Sequence, residues 1–224
     1  MAVILKIIAR LVRANWNTLR FNFHYFSFRE AIKLPVDLSS NVLLLQLKGT
    51  VQLPGATYYR RIRIGYGDVG IFDQRYSRSI WEVSGAIVFR GNANIGHGSK
   101  ISVGENARFE IGNNFIVSAE SGFVCMNEIS IGNDCLFSWE CLVMDTDFHK
   151  VRDAANQIVN APAPVKIGDQ VWVGTRCLIL KGAGIPSGSV IAAGSLVNKP
   201  LVGEKQVFAG NPAKPVKDQI SWEL

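Results

Sequence analysis

The sequence predicts an all-β fold: a parallel β-helix, in which short strands wind into stacked coils around one continuous core. From Ile167 an apolar residue falls at every sixth position, through Val173, Ile179, Ile185, Ile191 and Val197. A period of six suits neither an α-helix nor a simple alternating strand. Residues suited to a tight buried corner, Val171, Cys177, Ala183, Ser189 and Ser195, follow four places after the apolar ones. Composition agrees, since 224 residues with 48% hydrophobic and 19% charged side chains can bury a sizeable core. Twenty-one glycines and eight prolines suit a chain that turns a corner every few residues.

Residues 1–40 read as a cap segment with helical tendency. From Ala2 to Leu19, Lys6, Arg10, Arg13 and Arg20 recur at helical spacing beside Ile4, Ile7, Ile8 and Leu11. Charges interrupt this stretch too often for a transmembrane span or a secretory signal. Two readings stay open: a helix docked on its own protein, and peripheral attachment to an anionic membrane surface. Leu34, Pro35 and the turn-prone residues 37–41 close the cap.

Residues 41–200 read as the β-helix domain. Triplets such as Ile62-Arg63-Ile64, Ile101-Ser102-Val103 and Phe109-Glu110-Ile111 alternate inward and outward as strands do. The glycines of Gly65-Tyr66-Gly67-Asp68-Val69-Gly70 mimic a dinucleotide fingerprint, but Ile71 to Ser79 lacks the amphipathic helix that such a site needs. Hexads emerge at Ile111, Val117, Phe123 and Ile129, then restart two residues late at Ile131, Phe137 and Val143. The pattern stops over residues 145–164, a polar loop that holds His149, Arg152 and Asp153. A loop of that length interrupting a compact solenoid points to function. Residues 201–224 form a tail expected to close the open end of the stack.

The net charge of +6 favours an anionic partner, although no nucleic-acid recognition motif accompanies it. Cysteines 125, 135, 141 and 177 form no C-x-x-C pair and no zinc-type cluster, so no metal site is expected. Cys135, Cys141 and Cys177 stand where a small buried side chain is wanted and read as free packing thiols. Such usage suits a reducing cytosol, with the inner membrane face as the place of any surface contact.

Three stretches carry a family resemblance: Asp145-Thr146-Asp147-Phe148-His149, then residues 164–174 (PVKIGDQVWVG), then Ala209-Gly210-Asn211-Pro212-Ala213-Lys214. In order and spacing they resemble the hexapeptide-repeat acyltransferases, in particular the maltose, galactoside and xenobiotic branch. The stretch Asn22 to Pro35 is similar, more loosely, to acyltransferases of bacterial capsule and exopolysaccharide clusters. The resemblance implies a left-handed helix, against the usual crossover rule, a homotrimer and acetyl-CoA as acyl donor.

Acyl transfer to a hydroxyl needs a base, and a neutral imidazole, ordinarily with a pKa of ~6.5, is suited to it. Of three histidines, only His149 matches the family's base. Asp147 and Asp145 are the carboxylates nearest in sequence to orient it. Backbone N–H groups near Gly174 and Thr175 are expected to face the oxyanion. By resemblance, Trp172 lines the donor site, Gly174, Thr175, Ala193 and Gly194 flank the pantetheine arm, and Asn198, Lys199 and Lys214 meet the nucleotide and its phosphates. Acceptor contacts are expected from Asp145, Asn127 and Trp139, because the family's acceptor-side Asn and Asp have no clear counterpart here. The expected activity is acetyl-CoA-dependent O-acetylation of a sugar hydroxyl on a bacterial surface polysaccharide or its precursor. The alternative is N-acetylation of a nucleotide-linked amino sugar or other small amine.

Overall fold

The computed structural model describes residues 2–67 and 69–223. Met1, Asp68 and Leu224, with the side chains of Ala2, Val3 and Ile4, lie outside the described residues, which removes Ile4 and Asp68 from the readings above. Helices α1 (Ala2–Arg13), α2 (Trp16–Tyr25) and α3 (Phe28–Ala31) precede a three-sided parallel β-helix. Coil 1 is β1 (Val36–Leu38), β2 (Val42–Leu47) and β3 (Thr50–Gln52); coil 2 is β4 (Ile62–Tyr66), β5 (Ser79–Val83) and β6 (Ala86–Phe89). Coil 3 is β7 (Ala93–Gly96), β8 (Lys100–Val103) and β9 (Arg108–Ile111); coil 4 is β10 (Phe115–Ala119), β11 (Gly122–Cys125) and β12 (Glu128–Ile131). Coil 5 holds β13 (Leu136–Trp139), β14 (Leu142–Met144) and β15 (Val165–Ile167), and coil 6 holds β16 (Trp172–Val173), β17 (Leu178–Ile179) and β18 (Gly184–Ile185). Coil 7 is β19 (Val190–Ile191) and β20 (Leu196–Val197), followed by β21 (Val207–Gly210) and β22 (Ala213–Lys217).

The first strands of the coils stack as sheet A, the second as sheet B and the third as sheet C. Among the described residues every pairing between these strands is parallel except β21 with β22, which fold back on each other at the end of sheet A, and an isolated antiparallel bridge joins Arg152 and Ile158 in the loop. The hexad residues form the inward ladders: Val117, Phe137, Val173 and Ile191 in sheet A, Phe123, Val143 and Ile179 in sheet B. All are essentially buried. Rings fill the middle of the core, where Phe109, Phe115, Phe123 and Phe137 pack at centroid separations of 5.6–5.9 Å. Each such side chain contributes about 1.5–3 kcal/mol by leaving water.

The two-residue slip has a register cause. From Trp172 to its ladder partner Val190 the chain advances eighteen residues, whereas from Ile116 to Leu136 it advances twenty. The surplus lets β12 direct both Ile129 and Ile131 inward, paired to Val165 and Ile167. Coil 5 advances thirty-six, from Leu136 to Trp172, and the excess is the 145–164 loop.

Corners repeat chemically as well. Asn114, Asp134 and Gln170 take φ of 54°, 55° and 53° where sheet C turns into sheet A. Beside them a side-chain ladder climbs the stack, with the N–H groups of Asn113 and Asn133 donating to Asn133 Oδ1 (2.9 Å) and Asp169 Oδ1 (2.6 Å). The four cysteines are free and buried. Burial pushes the Cys135 and Cys141 thiols up to about 12 and raises those of Cys125 and Cys177.

An open β-helix end exposes unpaired strand groups, and α2 covers the lower one with polar residues on one face. Leu38 N–H donates to Thr18 Oγ1 (2.9 Å), Asn15 Nδ2 donates to Leu38 C=O (2.5 Å), and Asn22 bonds both backbone groups of Val36. Phe21 completes the seal beneath Trp81, at a centroid distance of 5.0 Å. Helix α1 leaves Leu5, Ile8 and Val12 exposed.

Candidate active site

Asp145 opens the 145–164 loop at the edge where sheet B passes into sheet C. Its side chain is fully buried. One carboxylate oxygen accepts the Met126 N–H and the other the Asn127 N–H, each at 2.8 Å. Its carbonyl accepts the Ala163 N–H at 3.1 Å, which joins the two ends of the loop. A buried carboxylate satisfied by two amides is a structural tie. Its full burial leaves no surface on the side chain for an acceptor to touch, and it makes no hydrogen bond to the His149 ring.

The turn that follows displays the histidine. Thr146 Oγ1 accepts from Phe148 N–H (3.0 Å), Phe148 takes φ of 60°, and His149 N–H donates to Asp147 C=O (2.7 Å). Residues 147–159 are all exposed. Asn160 Nδ2 donates to His149 C=O (2.7 Å) and Asp147 Oδ2 (2.9 Å). Lys181, from the corner of the next coil, places Nζ 2.6 Å from Asp147 Oδ2 and 2.8 Å from Asn160 C=O. Lys181 and then Asn160, by hydrogen bonding, hold the Asp147 carboxyl below the usual carboxylate range. Asp147 therefore fixes the turn through Lys181, and no described residue hydrogen-bonds the His149 ring. Sequence reasoning missed Lys181 and Asn160. The available signal was a lysine in a corner directly behind hexad residue Ile179, where its side chain is only 22% exposed.

The donor-side candidates lie mostly on a different edge, where sheet A turns into sheet B. Backbone hydrogen bonds stack the corners: Arg176 N–H donates to Trp139 C=O (3.0 Å) and Gly194 N–H to Thr175 C=O (2.8 Å). Thr175 Oγ1 also donates to Trp139 C=O at 2.9 Å. Gly174 must be glycine, because a Cβ there would lie 2.7 Å from Ala193 N and 2.9 Å from Ile191 O. Its N–H is bound to Ile191 C=O at 2.8 Å, which removes it as an oxyanion donor. Space opens around Gly194, where a Cβ would meet nothing within 4 Å. Ala193 and Gly194 are both exposed at this corner.

Trp172 stands on the outer face of sheet A, 38% exposed, with Nε1 donating to Ser138 Oγ (3.2 Å) and its ring 6.2 Å from that of Trp222. Asn198 and Lys199 are exposed on the B–C edge, and Lys214 on β22. Asn127 is exposed on the B–C edge one coil below Asp145. Within one chain, then, the B–C edge carries His149, Asp147, Asn127, Asn198 and Lys199, and the A–B edge carries Trp139, Thr175, Ala193 and Gly194. Of the other histidines, His24 bonds through Nε2 to Leu47 C=O and His97 is buried. Among the described residues no group of three or more His, Cys, Asp or Glu is placed to hold a metal ion.

No protein-family model matches the chain. It is 32% identical over 100 residues to a probable acetyltransferase of Mycobacterium tuberculosis, covering 43% of this chain and 33% of that one. It is 35% identical over 125 residues to the polysialic acid O-acetyltransferase of Neisseria meningitidis, covering 55% and 56%. A putative acetyltransferase of Schizosaccharomyces pombe is 30% identical over 114 residues, covering 51% and 54%. The chain thus spans between a third and somewhat over half of these relatives' lengths. The solved structure of the polysialic acid-specific acetyltransferase NeuO superposes with a TM-score of 0.60 at 22% identity, over 84% of this chain and 88% of that one. The chain is a left-handed parallel β-helix of the hexapeptide-repeat kind, similar in sequence to acetyltransferases and in fold to NeuO.

Proposed function

We propose that the chain is an acyltransferase that moves an acetyl group from acetyl-CoA to a sugar hydroxyl of a bacterial surface polysaccharide or its precursor. The observation that carries this reading is the histidine turn: His149 projects on a loop locked at its base by Asp145 and Lys181, and the relatives in sequence are acetyltransferases.

In this reading the neutral His149 imidazole accepts the proton of the acceptor hydroxyl as that oxygen attacks the thioester carbonyl. The tetrahedral intermediate collapses with cleavage of the C–S bond, and the imidazolium returns the proton to the departing thiolate. Base assistance of this kind contributes something like 10² to 10⁴ in rate. Asp147 is a positioning residue, since its carbonyl accepts the His149 N–H and its carboxylate is anchored by Lys181. Donor contacts fall to Trp172, Thr175, Ala193 and Gly194. Asn198, Lys199 and Lys214 face the nucleotide, the lysines offsetting phosphate charge, and Trp139 and Asn127 face the acceptor.

The active unit is a homotrimer. One chain presents base and donor edge on two different edges of the prism, so a neighbouring copy brings the two together. Peripheral contact with the inner membrane face falls to α1, whose Leu5, Ile8 and Val12 are exposed beside Lys6, Arg10 and Arg13. No helix of the described residues is long and apolar enough to cross a membrane.

Release of CoA from acetyl-CoA, followed across free sugars, nucleotide-linked amino sugars and glycan fragments, tests the proposal. The expected result is acceptor-dependent release yielding an alkali-labile ester. An alkali-stable amide would establish the N-acetyl alternative instead, and absence of both release and CoA binding would overturn the reading.

A further inference from the structure

Twelve residues separate the end of the coil-2 first strand from the start of the second, and Gly67, Gln74, Arg75 and Ser77 of this insert line a cleft of about 710 Å³ on the A–B edge. That volume lies within the ~300–1,000 Å³ of small-ligand sites. His97 forms part of its wall, 2% exposed, with neither Nδ1 nor Nε2 in a hydrogen bond. A buried imidazole carries a donor and an acceptor, and leaving both unmet is costly unless something enters to meet them. Ser39 Oγ, also lining the cleft, is buried and unpartnered as well.

The glycines of the false dinucleotide fingerprint find their use here. Gly65 (φ 81°) has no room for a Cβ, which would lie 2.5 Å from Ser39 Oγ, and Gly67 (φ 135°) leaves the His97 ring uncovered, a Cβ there lying 3.6 Å from His97 Cδ2. Asn41 holds the insert in place by donating to Gln74 C=O (2.9 Å) and Ser77 C=O (3.1 Å). Arg75 adds a cation, and the carboxylate near the wall, Glu120 behind Ser77 and His97, is paired to Lys100 at 2.8 Å.

The cleft also stands in line with the candidate site. Glu120 N–H donates to His97 C=O (2.9 Å) and Glu140 N–H to Ala119 C=O (3.3 Å), so His97, Ala119, Trp139, Thr175 and Ala193 occupy successive equivalent corners. Two strand spacings, about 10 Å, separate His97 from Trp139.

We infer that this cleft binds a carboxylate-bearing sugar unit of the acceptor chain, with Arg75 meeting the carboxylate and His97 and Ser39 meeting hydroxyls. The inference rests on the acyl-transfer reading for its biological sense, but binding is measurable without acyl transfer. Calorimetric titration of the CoA-free protein with a polysialic acid oligomer and, in parallel, a neutral maltose oligomer of equal length tests it. The acidic oligomer is expected to bind, and Arg75→Gln and His97→Asn each to weaken it roughly tenfold. Arg75 is exposed, so its variant keeps the test decisive if His97→Asn fails to fold. Equal binding of the neutral oligomer, no binding of either, or an affinity indifferent to both variants would overturn the inference. If the acidic oligomer binds as expected but no CoA release follows, the acyl-transfer reading fails and the cleft stands.

Discussion

The stem and the 145–164 loop are held by opposite means. In the stem each coil adds inward residues to three ladders, and burial of Phe123, Phe137, Val173 and their neighbours fixes geometry through many small, undirected contributions. In the loop residues 147–159 are exposed, and position depends on a few directed bonds from Asp145, Asn160 and Lys181. The difference teaches that the stem tolerates variation in detail while keeping its shape, whereas the loop has few independent supports.

Truncations sharpen this contrast most. Phe123→Ala should cost about 3–5 kcal/mol, read as a lowered denaturation midpoint, while Phe148→Ala in the exposed loop should fall within about 0.5 kcal/mol of the parent. A comparable loss at both positions would break the comparison. Asp145→Ala removes the acceptor for two amides and should cost about 3 kcal/mol, far more than any other residue of the loop. Lys181→Ala should change global stability by less than about 1 kcal/mol yet raise hydrogen exchange and proteolytic nicking across residues 145–164. Protection of the stem strands should not change.

The Asp147–Lys181 pair gives the loop a pH dependence of known sign. The folded-state pKa of Asp147 lies below its ordinary value, so this contribution is present above the unfolded pKa, ~3.9, and is lost as pH falls through the folded value. Loop protection should therefore hold from neutral pH to about pH 4 and decline only below it. Loss of protection at pH 5–6 would show that another group holds the loop. The smallest effect belongs to the stem thiols. With Cys135 and Cys141 raised to about 12 and the other two also raised, native protein should leave a thiol reagent at pH 8 unconsumed, and denaturant should release all four.

Much of the stem was legible in the chain because a buried ladder imposes its period on the residues. The hexads from Ile167 to Val197 all face inward, and the slip after Ile129 marks a real change of coil length. The capping of β1 by Asn15, Thr18 and Asn22 was not legible, since these polar residues find their partners 23, 20 and 14 residues away and no spacing announces it. The site was half legible. His149 stood out through its flanking residues, but the tie from Asp145 to Met126 and Asn127 did not, and Lys181 lies thirty-two residues beyond His149. Proximity in sequence offered two carboxylates, and burial separates them: Asp145 is enclosed on two amides while Asp147 stays at the surface with Lys181.

The central claim is that His149 supplies the base for acyl transfer from a turn whose anchoring is separate from the core. The most direct measurement compares acceptor-dependent CoA release by the parent and by His149→Ala, with CoA affinity and denaturation midpoint determined on both. The account expects turnover to fall by roughly 10² to 10⁴ while affinity and midpoint stay at the parent values. Turnover preserved in His149→Ala would contradict it.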